Sequence, residues 1–110
     1  MPQIKFSKMY FKLNNPIFTT IRKYEDDRFS FYKERINDIF DIKVKDEIIG
    51  KAKLIDIEVT DFFNLPISFL RIDTNLIDIN EIYNLFESLG INKNDRIIIL
   101  TLEQLNEIIL

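Results

Sequence analysis

The 110-residue sequence contains no cysteine and no histidine. Without cysteine there are no disulfides, no thiolate nucleophile and no cysteine zinc site. Without histidine, Ser-His-Asp and Cys-His catalysis and every histidine-bound metal site are excluded. Glycine occurs twice and proline three times, and no flexible linker, internal repeat or low-complexity tract marks a domain boundary. No apolar run approaches the ~20 residues of a membrane span, and Met1-Pro2-Gln3-Ile4-Lys5 lacks the apolar stretch of a secretory signal. The expectation is a cytoplasmic protein with no membrane contact, folded as one domain over residues 1–110.

What is present is a globular composition, 46% hydrophobic and 30% charged, rich in Ile, Phe and Leu, which favours strands and dense cores. Net charge is −3, unevenly spread. Residues 1–53 hold 12 Lys and Arg against 8 Asp and Glu, whereas residues 54–110 hold 3 against 10. A basic half beside an acidic half can bind a polyanion despite an acidic mean charge, provided the two halves do not average out over the surface.

Residues 3–13 read as a short strand followed by a helical turn, broken by Asn14-Asn15-Pro16. Ile17–Lys23 reads as a strand, and Tyr24–Phe31 as a polar loop carrying aromatics. Alternation from Phe40 to Lys45 predicts a half-buried strand, paired through a turn at Asp46-Glu47 with a long strand from Ile48 to Thr60. Gly50, and a slip in the alternation at Leu54-Ile55, mark irregularities in that strand. Ile79, Ile82, Tyr83, Phe86 and Leu89 line one face of a helix, with Asp78 as N-cap, Glu81 completing a capping box and Gly90 as stop. The continuous apolar run from Arg96 to Leu102 predicts a fully buried strand, and Glu103–Leu110 a short terminal helix. This order predicts an α+β domain on a mostly antiparallel, strongly curved or barrel-like sheet rather than a βαβ repeat.

Phe18-Thr19-Thr20-Ile21-Arg22 carries the most chemical information. In a strand Thr20 and Arg22 share one face and Thr19 and Ile21 the other. With Ile21 in the core, Thr20 and Arg22 would look outward together, a hydroxyl beside a guanidinium that binds phosphate bidentately. On most exposed strands such a pair is only solvated surface. Aromatics and cations also interleave at Lys5–Lys12 and Arg22–Arg35, the pattern by which single-stranded RNA is stacked and neutralised. Phe29 and Tyr32 are the expected exposed stacking groups; most of the other aromatics are expected in the core. The carboxylates at Asp26-Asp27, Asp46-Glu47 and Asp56/Glu58/Asp61 lack metal-site spacing, so no metal and no cofactor is expected.

Thr-Thr-Ile-Arg on an early strand resembles the signature of the ASCH family of PUA-like pseudo-barrels, in which a Gly-Arg-Lys-Thr-x-Thr-Ile-Arg-like segment precedes a Gly-Asp turn, a hairpin and a helix. Asn37-Asp38 stands where Gly-Asp would be, and Asn tolerates a left-handed backbone. Ile39–Val44 and Ile49–Leu54 match the hairpin, and Pro66–Thr74 is similar to a segment that an archaeal-type subgroup carries before its long helix. The resemblance implies a small β-barrel or strongly curved sheet with two or three flanking helices. It also implies a cleft between the Thr20 strand and a loop near Asp73, suited to RNA or a modified nucleoside. The amidohydrolase branch of the family uses a Lys, a Thr and an acid. Thr20 falls at the Thr position and Asp73 near the acid, but Ile17 occupies the Lys position, leaving Thr20 without an evident activator.

Three functions from different classes follow. The first is a nucleic-acid-binding module for RNA or a nucleotide, with Arg22, Lys23, Arg28 and Lys51 on phosphates. Thr20 and Asp73 would then read the base or sugar, Phe29 and Tyr32 would stack, and Thr19 and Thr74 complete the expected ligand-binding residues. The second is an amidohydrolase or ribonuclease on the same scaffold, with Thr20, Asp73 and a Lys such as Lys51 or Lys53 as catalytic groups. The third is a protein-interaction module whose acidic C-terminal half meets a basic partner, with an exposed final strand or the Ile108-Ile109-Leu110 end mediating self-association. For each, the expected state is a monomer or weak homodimer.

Overall fold

Strands form where β-branched and aromatic residues alternate or cluster. In the computed structural model, which describes residues 2–105, they are β1 (Gln3–Phe6), β2 (Ile17–Lys23), β3 (Ile39–Val44), β4 (Glu47–Asp61) and β5 (Arg96–Gln104). They make one mixed sheet in the order β1-β3-β4-β5-β2. β1 pairs parallel with β3, and the remaining pairings are antiparallel. The sheet curls until its two edges meet: Phe6 of β1 touches Phe18 of β2, with ring centroids 6.3 Å apart. Helices α1 (Asp26–Lys33), α2 (Ile67–Thr74) and α3 (Ile79–Ser88) complete this α+β half-barrel, with short 3-10 turns at Phe11–Asn14 and Phe62–Asn64.

The curl creates two cores. Inside it, Phe18, Phe40, Ile42, Ala52, Leu54, Ile98, Leu100 and Leu102 pack with Ile4, Phe6 and Leu13. On the other side Ile21, Ile97 and Ile99 meet Phe62, Leu70, Ile82, Phe86 and Ile91 from the helical side. Consecutive residues of β5 alternate between these cores, which is why its sequence is apolar without a break. β5 lies between β4 and β2, so the final strand is central and offers no exposed edge. Glu103 and Gln104 belong to it, not to a helix; the expected terminal helix beyond them and the Ile108-Ile109-Leu110 end lie outside the described residues.

The irregularities expected in β4 are both present. Its register against β3 shifts between Ile42 and Lys43, beside Gly50. Its register against β5 shifts between Leu54 and Asp56, which restores inward packing of Ile57 and Val59 after the slip in alternation. The hairpin turn sits at Lys45-Asp46, one residue earlier than expected, with Lys45 at φ 54°. Asn37 adopts φ 75°, the left-handed conformation foreseen for Asn37-Asp38. The Asp78 carboxylate caps α3 by accepting from the Asn80 and Glu81 amides, and Gly90 follows at φ 84°.

Two elements depart from expectation. Tyr24–Phe31 is not a loop, since α1 begins at Asp26. No apolar stripe announces it: its hold on the sheet is aromatic, with Phe29 and Tyr32 packed against the inner core and Phe31 against Phe40. Asp26 and Asp27 favour its N-terminus through the helix dipole. Asp73 is likewise not on a loop but in the last turn of α2. Leu70 and Asp73 are the buried residues of that helix, and a carboxylate on the buried face conceals the apolar period.

A candidate nucleotide site in the gap between the sheet edges

Because β1 and β2 are not hydrogen-bonded to each other as strands, the curled sheet leaves a gap between them. The Arg22 guanidinium bridges it, Nη2 donating to the Lys5 carbonyl at 3.0 Å while the plane lies over the Phe6 ring, 5.2 Å from its centroid. Beside this bridge is a cavity of about 220 Å³ lined by Phe6, Tyr10, Lys12, Thr20, Arg22 and Asp73, and closed by Leu85 and Leu89 at the α3 end. That is below the ~300–1,000 Å³ typical of drug-sized ligands, so it accommodates a single ring system rather than a length of polymer.

At one wall of the cavity is a buried ion pair. The Lys12 ammonium lies 3.2 Å from Asp73 Oδ1, and both residues are almost fully buried. Thr19 Oγ1 donates to the same carboxylate oxygen at 2.9 Å. The Phe6 and Tyr10 rings flank the ammonium at 5.7 and 5.8 Å, a cation–π setting. Burial lowers the Lys12 pKa, and the Asp73 carboxylate opposes that shift only in part. Lys12, carried by the 3-10 turn before β2, was absent from the expected site. Its sequence signal was only an aromatic–cation cluster, and nothing local says that it meets a carboxylate 61 residues away.

Thr20 and Arg22 do share a face of β2, but they do not look out to solvent. Both faces of this strand are packed: Ile21 enters the helical-side core, and Thr20 sits inside the curl at 3% exposure. Among the described residues no side-chain hydrogen bond engages the Thr20 hydroxyl, which lines the cavity. Arg22 Nε is buried and also without a partner there. Burial holds the Arg22 pKa below its ordinary value, and the nearby Arg28 adds to that effect. Arg22 Nε is thus unsatisfied where buried polar atoms normally have partners, and the Thr20 hydroxyl lines the same cavity.

The other expected residues divide. Thr74 lines the cavity, but its hydroxyl already donates to the Leu70 carbonyl at 2.7 Å and accepts from the Leu76 amide at 3.2 Å. It closes the end of α2. Thr19 is occupied by Asp73. Phe29 and Tyr32 are not exposed stacking groups, being half-buried against the inner core, Phe29 beside Tyr24 at 5.8 Å and Tyr32 beside Phe40 at 6.0 Å. Lys23 and Arg28 lie across the Arg22 bridge from the cavity, where Arg28 Nη1 donates to the Lys23 carbonyl at 2.6 Å. Lys51 is elsewhere: it faces Asp41 across the β3–β4 hairpin at 2.7 Å. Among the described residues no group of three metal-ligating side chains converges, and no described helix is long and apolar enough to cross a membrane. No family model, no curated protein and no solved structure matches this chain.

Proposed function

We propose that this protein binds RNA or a nucleotide by taking one nucleotide unit into the gap between β1 and β2. The observation that carries this is the pairing of the Thr20 hydroxyl and Arg22 Nε, both without partners, in a small, mostly apolar cavity. Phe6 and Tyr10 line the cavity as apolar walls for a base, Thr20 and Arg22 offer hydrogen bonds to its edge or to the sugar, and Lys12 contributes positive charge. Cations of the basic N-terminal half (Lys5, Lys12, Arg22, Lys23 and Arg28) gather at this gap, which suits a polyanion. The cytoplasmic location and the membership of the ASCH family expected from the sequence belong to the same proposal.

The test is fluorescence anisotropy of labelled single-stranded RNA at low and moderate salt, with wild type, Arg22→Ala and Thr20→Val. Binding should be salt-sensitive, because neutralised phosphates release counterions. Thr20→Val keeps the shape of the side chain and should weaken binding about two- to tenfold, the worth of one hydrogen bond. Arg22→Ala should weaken it further. Unchanged affinity in both variants, each shown folded by circular dichroism, would place the binding site elsewhere.

A hydrolase acting on a modified nucleoside is a second reading, favoured by Lys12. The lysine missing at position 17 has a counterpart of different origin, buried beside Asp73 in the cavity that Thr20 lines. In that arrangement water or the Thr20 hydroxyl would attack an amide carbonyl, with Lys12 the group placed to pass the proton to the departing amine. Acetate release from acetylated cytidine, lost in Lys12→Met, would establish this; no turnover with wild type would remove it.

A further inference from the structure

The Arg22 bridge divides the gap in two. Beyond it lies a second cavity, of about 340 Å³, lined by Gln3, Lys5, Arg22, Lys23, Arg28 and Tyr32. Lys5 and Arg22 line both cavities. Among the described residues no carboxylate lines the second one. The acids nearest its cations hold them loosely from its margin, Asp95 at 3.7 Å from Lys23 and Glu25 at 3.8 Å from Arg28. Lys5 has no ion pair among the described residues. Arg28 is tethered through Nη1 to the Lys23 carbonyl, and Arg22 through Nη2 to the Lys5 carbonyl. Four cations around one hollow repel one another, and an anion placed among them relieves that repulsion while meeting donors already oriented.

We propose that this second cavity receives the phosphate of the nucleotide whose base enters the first, with the sugar passing Arg22. The proposal rests on the nucleotide-binding function given above and specifies the ligand as a nucleoside monophosphate unit, free or at the end of an RNA strand. The first cavity supplies apolar and ring contacts and the second supplies charge. Arg22, common to both, is placed to contact sugar and phosphate together. A neutral nucleoside would fill only half of the site.

Calorimetric titration of the full chain with cytidine, uridine, adenosine and guanosine, and with their 3′- and 5′-monophosphates, tests this. At least one monophosphate should bind about tenfold or more tightly than its parent nucleoside, as expected of charge-assisted hydrogen bonds, and the advantage should shrink with added salt. Arg28→Ala should remove most of that advantage and weaken the parent nucleoside far less than its monophosphate, because Arg28 does not line the first cavity. The phosphorus resonance of the bound monophosphate should shift in wild type and not in Arg28→Ala. A tetranucleotide with a 3′-phosphate, run in parallel, names the source, the tighter Arg28-dependent ligand being the strand end or the free nucleotide. Equal affinity for nucleosides and monophosphates would overturn this inference and leave the nucleotide-binding function standing. Inorganic phosphate binding as tightly as any monophosphate would overturn the pairing of the cavities, and no binding by any of these probes would overturn both proposals.

Discussion

Two lysine–aspartate pairs occupy opposite regions of the molecule and differ in nearly everything except their chemistry. Lys51 and Asp41 face each other across the β3–β4 hairpin at 2.7 Å, with the lysine side chain 43% exposed. Lys12 and Asp73 join the turn before β2 to the end of α2 at 3.2 Å, with their side chains 9% and 3% exposed. The shorter contact is the weaker organiser. Water still reaches the Lys51 ammonium, although Asp41 is buried, so only one partner of this pair has been desolvated. Lys12 has lost its water, and its remaining partners are one carboxylate oxygen and two ring faces. What distinguishes a structural ornament from a site is desolvation, not distance.

The largest expected effect tests that contrast directly. Lys12→Met should cost about 3–5 kcal/mol in chemical denaturation, because it strands the buried Asp73 charge. Adding Asp73→Leu should return stability to within about 1–2 kcal/mol of wild type, the residue being the Thr19 hydroxyl left without its acceptor. If the double variant were no more stable than the single one, desolvation would not be the dominant cost.

The next effect is in pH dependence. The folded state holds the Lys12 pKa below its ordinary 10.5, so the unfolded chain keeps a proton that the folded chain releases. Stability from this group therefore rises with pH between the lowered value and 10.5. The difference in unfolding free energy between wild type and Lys12→Met should grow across that interval. A flat difference would mean that Lys12 is better solvated than its surroundings indicate.

The smallest effect belongs to the hairpin pair. Lys51→Met should cost about 1–3 kcal/mol, because the Asp41 carboxylate it leaves is buried while the lysine that held it was half in water, and it should leave RNA or nucleotide affinity unchanged. A loss of affinity in Lys51→Met would return that residue to the phosphate-binding role expected from the sequence.

Much of the fold was legible because its signals are local. Alternation revealed the hairpin, even to the slip at Leu54-Ile55, since side chains on a strand must point to opposite faces in turn. The cap at Asp78, the stripe from Ile79 to Phe86 and the stop at Gly90 delimited α3 for the same kind of reason. α1 and α2 were hidden because each anchors through two or three residues rather than a stripe. α1 uses aromatics that resembled an exposed stacking surface, and α2 buries an aspartate where a periodic pattern would demand an apolar residue.

The sequence by itself determined the strands, the best-capped helix, the absence of thiol and imidazole chemistry, and the presence of Thr20 and Arg22 on one face of β2. Only the tertiary structure decided where that face points, which lysine stands near it and what bridges the gap. Those outcomes depend on the curl that carries β1 around to β2 and on helices packed from the far end of the chain. Local sequence sets the preference of each segment, but the partner of a buried charge is chosen by whichever distant group the fold brings within reach. Lys12, 61 residues from the carboxylate that holds it, is visible as a site residue only once the sheet has closed upon itself.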